Sequence, residues 1–299
     1  MSNLRSESEI EHRPDAHAEA SPADADASEL LILALDTTTE VRSVAVVRGR
    51  RVLASTRGGV LRENSARVLH DVDEALTAAG VRLEEIELFA AATGPGSFTG
   101  LRSGLATVKA FAATLNRPVA GIPTLHAVAC ACASTTAERV LACLPAGRGE
   151  LFAQLLLADG EPSVAELNDA VHEAPAALFE RAAKWGGDLK WAGKGAHAHA
   201  DVLSEFAAGR GIVWRVEGGD ESVGENSAGD GGESAGAAVA PGAAGRVTWT
   251  LAAPSEVYAT QVAALGLQRY LAGRATNAED LQALYVRLSD AELNERCRA

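Results

Sequence analysis

The sequence has few aromatic side chains, no cysteine pair at metal-binding spacing and no long apolar run. Aromatic residues make up 4% of its 299 residues, which leaves few stacking platforms for single-stranded nucleic acid. No apolar run reaches the roughly 18 residues that a membrane span needs, and the acidic N-terminus lacks the apolar centre of a secretory signal. We therefore expect no membrane association and predict a cytoplasmic localisation.

Cysteine and histidine are present, but at spacings that do not suit a metal site. The absence of a C-x-x-C pair argues against structural zinc, and we expect the cysteines to be small buried hydrophobes in a reducing compartment. No two histidines have the i, i+4 spacing at which they would share a helix face, so we predict no metal site. Because no activated nucleophile and no complete phosphate site can be assembled from the motifs, we also predict no catalytic residue. The four cysteines are Cys130, Cys132, Cys143 and Cys297, and the histidines weighed as metal ligands are His70, His126, His197 and His199.

The net charge of −13 is concentrated in two segments. Residues 1–28 carry seven acidic residues and two arginines, and residues 217–245 carry six acidic residues and no base. The rest of the chain is nearly balanced, so the low pI says little about what a folded surface binds. Because both segments are poor in large apolar side chains, we predict a disordered tail and a disordered insertion.

The apolar pattern of the remaining chain predicts strands and helices in alternation. In the first half, the predicted strands are 30–36, 43–47, 52–56, 86–92 and 119–122, and the predicted helices are 64–79, 101–116 and 123–133. Tightly joined strands followed by crossover helices predict one mixed sheet, the topology of a ribonuclease-H-like or actin-like domain. A second pass begins near Arg139, with a hairpin at 140–144 and 151–157 and helices at 174–185, 196–207 and 255–272.

The predicted fold class is therefore α/β, with two actin-like domains that each contain a mixed sheet with covering helices. The acidic tail at 1–28 precedes a first domain at 29–125. A smaller second domain at 126–290 contains the acidic insertion, and a tail at 291–299 follows. The last helix and strand either stay with the second domain or return to the first.

The most informative stretch joins a predicted strand to a predicted helix. It reads Gly94-Pro95-Gly96-Ser97-Phe98-Thr99-Gly100-Leu101-Arg102-Ser103-Gly104. It is not a Walker A loop, because Leu101 and Arg102 stand where Lys and Ser or Thr are needed, and it is not the dinucleotide fingerprint. The residues alone leave two interpretations open, an anion cradle at a helix N-terminus or a tight turn that needs small residues for close packing.

Together with four other segments, this string closely resembles the TsaB (YeaZ) family. The other segments are Leu33-Ala34-Leu35-Asp36-Thr37-Thr38-Thr39, Ser43-Val44-Ala45-Val46, Gly121-Ile122-Pro123-Thr124-Leu125 and Leu284-Tyr285-Val286-Arg287, the last similar to the family's C-terminal strand. The match is dense from residue 30 to about 130 and patchy beyond. It departs at Asn64, where many relatives have His, and at 145–150, where relatives carry an Asp and an Arg that this chain lacks.

The resemblance implies an ASKHA fold and a non-catalytic subunit that pairs with TsaD and works with the ATPase TsaE. That assembly forms N6-threonylcarbamoyladenosine next to the anticodon of tRNAs that read codons starting with A. The chain itself is expected to need no cofactor, with ATP and metal on the partner subunits, and to be able to form a homodimer when alone. The resemblance places a nucleotide- or phosphate-loop-like set at Asp36, Thr37, Thr38, Gly94, Gly96, Ser97, Thr99 and Gly100.

The predicted helix 101–116 has an apolar face and a face of small residues. We expect Leu101, Leu105, Val108, Ala112 and Leu115 to lie on the sheet. The opposite face would let a second helix approach closely, although an alanine-rich protein also has alanines on its surface without a partner. The predicted partner interface consists of Arg102, Ala106, Lys109, Ala110 and Ala113, with Asn64, Arg67 and His70 from the preceding helix.

Two other function classes stay open. An ASKHA-type ATP-dependent phosphotransferase would need an adenosine pocket in the second half, where Gly193-Lys194-Gly195 is the one glycine-rich candidate. A metallopeptidase-like protein would need a metal or an activated nucleophile, and Ser97 lacks the G-x-S-x-G elbow. An acetyltransferase domain, which some relatives carry, is not expected in the 54 residues after Gly245.

Overall fold

The computed structural model describes residues 29–60, 67–132, 137–158, 160, 162–218 and 246–286. Within these residues, strands form two sheets, here called sheet A and sheet B, with helices on both faces of each. The mixed α/β fold class predicted from the sequence is confirmed. The predicted tail, Asn64, nearly all of the insertion and the C-terminal tail lie outside the described residues.

Sheet A contains the first five strands in the order β3–β2–β1–β4–β5. The pairs β1–β2 and β2–β3 are antiparallel, and β1–β4 and β4–β5 are parallel, as tight turns and helical crossovers require. The central strand β1 is buried along its whole length, which explains its continuous apolar sequence. The strands are β1 Leu31–Asp36, β2 Val41–Arg48, β3 Arg51–Val60, β4 Leu88–Ala92 and β5 Val119–Ile122.

Two helices cover the outer face of sheet A, α1 (Val68–Ala79) and α2 (Phe98–Leu115). Helix α1 stops at Gly80, which takes the left-handed conformation that glycine adopts without strain. Helix α2 begins three residues earlier than the predicted Leu101, because the Ser97 hydroxyl caps the helix by accepting a 3.3 Å hydrogen bond from Gly100 N–H. A 3₁₀ turn at Leu83–Glu85 precedes β4.

Sheet B has the strand order β11–β12–β10–β6–β7–β8, and β9 pairs with β7 on one side of this path. The predicted hairpin is present as β6 and β7, and both strands are longer than predicted. The remaining strands were not predicted, because they have only three or four residues and so carry little periodicity. The strands are β6 Glu138–Gly147, β7 Glu150–Ala158, β8 Val164–Glu166, β9 Val171–Glu173, β10 Leu189–Ala192, β11 Val213–Val216 and β12 Thr248–Leu251.

Helices on the outer face of sheet B are α4 (Pro175–Trp185), α5 (Lys194–His197) and α6 (Ala200–Gly209). The prediction of one helix at 196–207 was wrong, since the chain turns at 198–199 and divides it into α5 and α6. Aromatic rings fill the core here: Trp191 of β10 lies 5.1 Å from Trp249 of β12 and meets Phe179 edge-on at 5.7 Å. Both tryptophans are almost completely buried.

The layer between the two sheets contains α3 (Thr124–Ala131) and α7 (Ala259–Leu271). Helix α7 contacts all five strands of sheet A and also packs on α3. The Ser43 hydroxyl of β2 accepts hydrogen bonds from the N–H groups of Tyr258 and Ala259, so a distant strand caps this helix. Helix α7 was predicted to start at residue 255 and starts at 259, after an extended segment that contains Pro254.

Residues 274–286, here called the C-terminal strap, run from α7 back along sheet A. Thr276 and Val119 exchange two backbone hydrogen bonds of 2.8 Å, and a 3₁₀ turn follows at Ala278–Asp280. Ala278 and Leu281 are buried in the core under α2. Leu284 N–H donates to the Thr93 carbonyl oxygen at 2.7 Å, but residues 284–286 form no strand, and Arg287 lies outside the described residues.

Candidate functional site

The carboxyl end of β1 forms a buried polar network around Asp36. Asp36 Oδ1 accepts from Thr38 N–H at 2.8 Å and from the Thr38 hydroxyl at 2.7 Å, and Oδ2 accepts from the Thr39 hydroxyl at 2.6 Å. The Thr124 hydroxyl lies 2.8 Å from that of Thr38 and accepts from Gly94 N–H at 3.1 Å. This chain of hydrogen bonds joins β1, the glycine string and the start of α3.

The glycine string packs directly on the loop that follows β1. A side chain at Gly96 would overlap the Thr38 carbonyl group, and one at Gly104 would overlap the Thr37 side chain. Ser97 N–H donates to the Thr38 carbonyl oxygen at 2.7 Å, and the Thr37 hydroxyl donates to Gly100 O at 2.8 Å. Close packing, the plainer of the two interpretations of the string, therefore describes these two glycines.

Asp36 is completely buried, and burial raises the pKa of its carboxyl group, although the hydrogen bonds from Thr39 and Thr38 lower it. Both carboxylate oxygens already accept hydrogen bonds from neighbouring residues. The Asp36 carboxylate and the hydroxyls of Thr38 and Thr39 are thus hydrogen-bonded to one another. Of the predicted loop set, Thr99 at the start of α2 is exposed, and Gly96 and Ser97 are half-buried.

The second glycine-rich candidate comes close to the same loop. Gly193 and Gly195 pack against the backbone of β6 at Cys143, where a Cβ would not fit. Between them, the Lys194 ammonium forms an ion pair with Glu40, which follows the three threonines. The structure thus brings the Asp36 loop and the Gly193–Gly195 loop together. Neither Glu40 nor the pairing was predicted, because no sequence pattern joins residues so far apart.

The predicted partner face of α2 is exposed. Leu101, Leu105, Val108 and Ala112 are buried on the sheet and Leu115 is half-buried, as the helical spacing predicts. Helix α1 contacts α2, and its Leu69 is 59% exposed. The exposed predicted residues are Arg102, Ala106, Ala110, Ala113, Arg67 and His70; Lys109 is half-buried and its Nζ donates to Glu279 O at 3.3 Å.

Two histidines in the described part of the chain, His126 and His172, each pair with a single carboxylate. His126 Nε2 lies 3.0 Å from Glu166, and burial lowers the pKa of His126, against the opposing charge of Glu166. His172 Nε2 lies 2.8 Å from Glu150. Among the described residues, no three His, Cys, Asp or Glu side chains are grouped so as to hold a metal ion. No helix among them is both long and apolar enough to cross a membrane.

A contact between two exposed aromatic rings at the glycine string was not predicted from the sequence. The Phe98 and Tyr285 ring centroids lie 6.2 Å apart, and the Arg102 guanidinium lies over the Phe98 ring at 3.9 Å. Phe98 lies within the string and Tyr285 within the C-terminal motif, so both motifs were recognised. Their contact depends on the path of the C-terminal strap, which local pattern does not determine.

Two mixed sheets with helices between and around them fit an ASKHA-like class of fold. The fold is similar to that of YeaZ from Pseudomonas aeruginosa, with a TM-score of 0.62 and 23% identity over 86% of this chain and 99% of that one. A second solved structure, described as similar to peptidase YEAZ from Pseudomonas aeruginosa, gives a TM-score of 0.63 with 24% identity over 86% of this chain and 100% of that one.

The family model "TsaD: tRNA N6-adenosine threonylcarbamoyltransferase" matches residues 46–198. The chain belongs to this family, and its likeness to the TsaB (YeaZ) proteins is confirmed.

Curated relatives carry two different names. The Escherichia coli tRNA threonylcarbamoyladenosine biosynthesis protein TsaB is 38% identical over 122 residues, 40% of this chain and 52% of that protein. The Paracoccus denitrificans tRNA N6-adenosine threonylcarbamoyltransferase is 32% identical over 147 residues, 47% of this chain and 40% of that protein. The chain thus spans about half the length of the curated relatives that it matches.

Proposed function

We propose that this chain is a TsaB-like partner subunit, not itself catalytic, of the assembly that forms N6-threonylcarbamoyladenosine next to the anticodon of tRNA. The names of the Escherichia coli and Haemophilus influenzae relatives, at 38% and 36% identity, support the pathway. The observation that carries the partner role is the exposed row of alanines on α2. TsaD is the proposed binding partner. TsaE and tRNA would join through the complex, in the cytoplasm.

A partner role agrees with the chemistry of the Asp36 network. Its carboxylate and threonine hydroxyls donate to or accept from protein groups, and Gly96 and Gly104 pack on the threonine loop. Preformed hydrogen bonds of this kind stabilise one shape, and each would have to break before the same groups could bind phosphate. ATP and metal are therefore proposed for the partner subunits.

Association with TsaD tests the partner role. Ala110→Glu and Ala106→Arg place a charge in the proposed contact, where an unpaired buried charge costs about 3 kcal/mol or more. We expect calorimetry to show a sharp loss of affinity, with the stability of the free chain changed by less than about 0.5 kcal/mol. Ala208→Glu, at an exposed alanine of α6, is the matched control and should bind normally. Unchanged affinity in both test variants would place the interface elsewhere.

Turnover separates a non-catalytic subunit from an enzyme. The purified chain with tRNA and threonylcarbamoyl adenylate should give no modified adenosine until TsaD is added. Product formed by this chain alone would overturn the non-catalytic role. Saturable binding of ATP with magnesium, lost in Asp36→Asn, would favour the phosphotransferase alternative instead.

A further inference from the structure

We propose that Phe98, Arg102 and Tyr285 form the anchor of the interface with the partner chain, which would place an apolar side chain on the two rings and a carboxylate on Arg102. This rests on the proposed function. It adds a second contact point at the N-terminal end of α2, separated along the helix from the alanine face by Arg102. The three residues, with the neighbouring Leu284, are here called the aromatic anchor.

The anchor exposes a large part of each apolar side chain. Phe98 is 44% exposed, Tyr285 52% and Leu284 40%, in a chain with few aromatic residues. The exposed large aromatic side chains of the described residues are Phe98, Tyr270 and Tyr285, so two of the three are in contact with each other. Contiguous exposed apolar surface marks interaction sites, and Tyr and Arg are enriched where binding energy concentrates.

The anchor is held in place before any partner arrives. Phe98 is the first residue of α2, whose N-terminus is fixed by the Ser97 cap and by Ser97 N–H on the Thr38 carbonyl oxygen. On the other side, Leu284 N–H donates to Thr93 O, and the strap is secured by buried Leu281. A backbone fixed in this way loses little conformational freedom on binding, which favours affinity.

Charge favours a protein partner that carries a carboxylate. Among the described residues, Arg102 has no carboxylate within 4 Å, and its guanidinium instead stacks on Phe98. The exposed carboxylates of Glu279 and Asp280 lie on the same strap and would repel an RNA backbone. A two-fold contact of the patch with its own copy would bring two Arg102 side chains together. A different protein chain that carries an acidic residue avoids both the repulsion of an RNA backbone and the repulsion between two Arg102 side chains.

The anchor is tested by truncation with binding to TsaD measured by calorimetry. Phe98→Ala and Tyr285→Ala should each weaken binding by about tenfold or more. Because the two rings touch, the double variant should lose less than the product of the two effects. Tyr270→Ala, which removes the exposed ring of α7 that has no part in the anchor, is the matched control and should bind normally. Arg102→Leu should weaken binding more than Arg102→Lys, and the affinity should fall steeply with salt in the wild type and in Arg102→Lys but not in Arg102→Leu.

The outcomes distinguish the anchor from the proposed function. If Phe98→Ala and Tyr285→Ala bind TsaD like the wild type while Ala110→Glu does not, the anchor is wrong and the partner role stands. If the wild type itself does not bind TsaD, both fail. Effects confined to self-association in gel filtration, or to tRNA affinity, would assign the patch to a second copy or to RNA and would overturn the anchor.

Discussion

The halves of the chain built on sheet A and sheet B are held together by different means. Of the buried polar side chains in the described residues, nine lie before residue 125, and only Gln154 and Lys190 lie after it. Sheet B has a core of aromatic rings in edge-on and tilted contact instead, which includes Trp191, Trp249 and Phe179.

This difference explains which part of the sequence closely resembles the TsaB (YeaZ) family. A hydrogen-bonded network needs particular atoms at particular distances, so Asp36, the threonines and the glycines admit few replacements. An apolar core accepts many side chains of similar volume. The dense part of the resemblance, from 30 to about 130, coincides with the half that contains the network.

The buried ion pair of sheet A should give the largest effect. Arg42 Nε lies 2.9 Å from Asp71 Oδ2, with both side chains almost fully buried. Asp71→Ala leaves the buried guanidinium without this carboxylate and should cost about 3–5 kcal/mol in the free energy of unfolding, measured with urea. The double variant Arg42→Met/Asp71→Leu should recover part of that loss. A single variant that costs less than about 1 kcal/mol would contradict the importance of this pair.

A side chain added at the closely packed glycine string should give the second-largest loss of stability. Gly96→Ala places a methyl group on the backbone of Thr38, which cannot move without breaking the network, and should cost about 3 kcal/mol. Gly209→Ala, in α6 beside sheet B, adds a Cβ in open space and should be neutral or stabilise by up to about 1 kcal/mol. Urea midpoints of the two variants measure the contrast. Equal losses of stability in the two variants would contradict the difference between the half with the hydrogen-bonded network and the half with the aromatic core.

The polar group of sheet B should give a moderate, pH-dependent effect. Lys190 Nζ lies 2.5 Å from Glu138 and 2.8 Å from Glu217. Burial acts to lower the pKa of Lys190, but the two carboxylates outweigh it and raise the pKa. The ion pairs should therefore stabilise the fold below about pH 10.4, the unfolded value, and the benefit should be lost as pH rises through the higher folded value.

Lys190→Gln isolates this contribution. At pH 8 the variant should be less stable by about 2 kcal/mol, and the gap to the wild type should close above about pH 10.4. Urea midpoints between pH 8 and 11 measure the gap. A gap that stays constant over this range would mean that packing, not charge, determines the loss.

The contact between the two loops should give the smallest effect. Lys194 and Glu40 are each about half exposed, and such pairs contribute about 0.5 kcal/mol. A double-mutant cycle with Lys194→Ala and Glu40→Ala should give a coupling of that size, weakened by salt. A coupling above about 1.5 kcal/mol would show that the loops, and not the apolar layer of α3 and α7, hold the two halves together.

The local sequence pattern predicted the long helices and strands correctly. The buried strand β1, the hairpin β6–β7 and the sheet-facing side of α2 were predicted, because each carries a clear period or a continuous apolar run. The short strands of sheet B were missed, and α5 and α6 were merged, because three or four residues carry too little periodicity.

By itself, the sequence determined the mixed-sheet fold and the family, since both follow from residues close together in the chain. Asp36, the threonines and the glycine string carry that information within about seventy residues. Tertiary structure alone decided that the string closes on the threonine loop, that Lys194 meets Glu40 and that the Tyr285 ring lies beside Phe98. These contacts join residues up to 187 positions apart, and their geometry depends on the whole path of the chain between them.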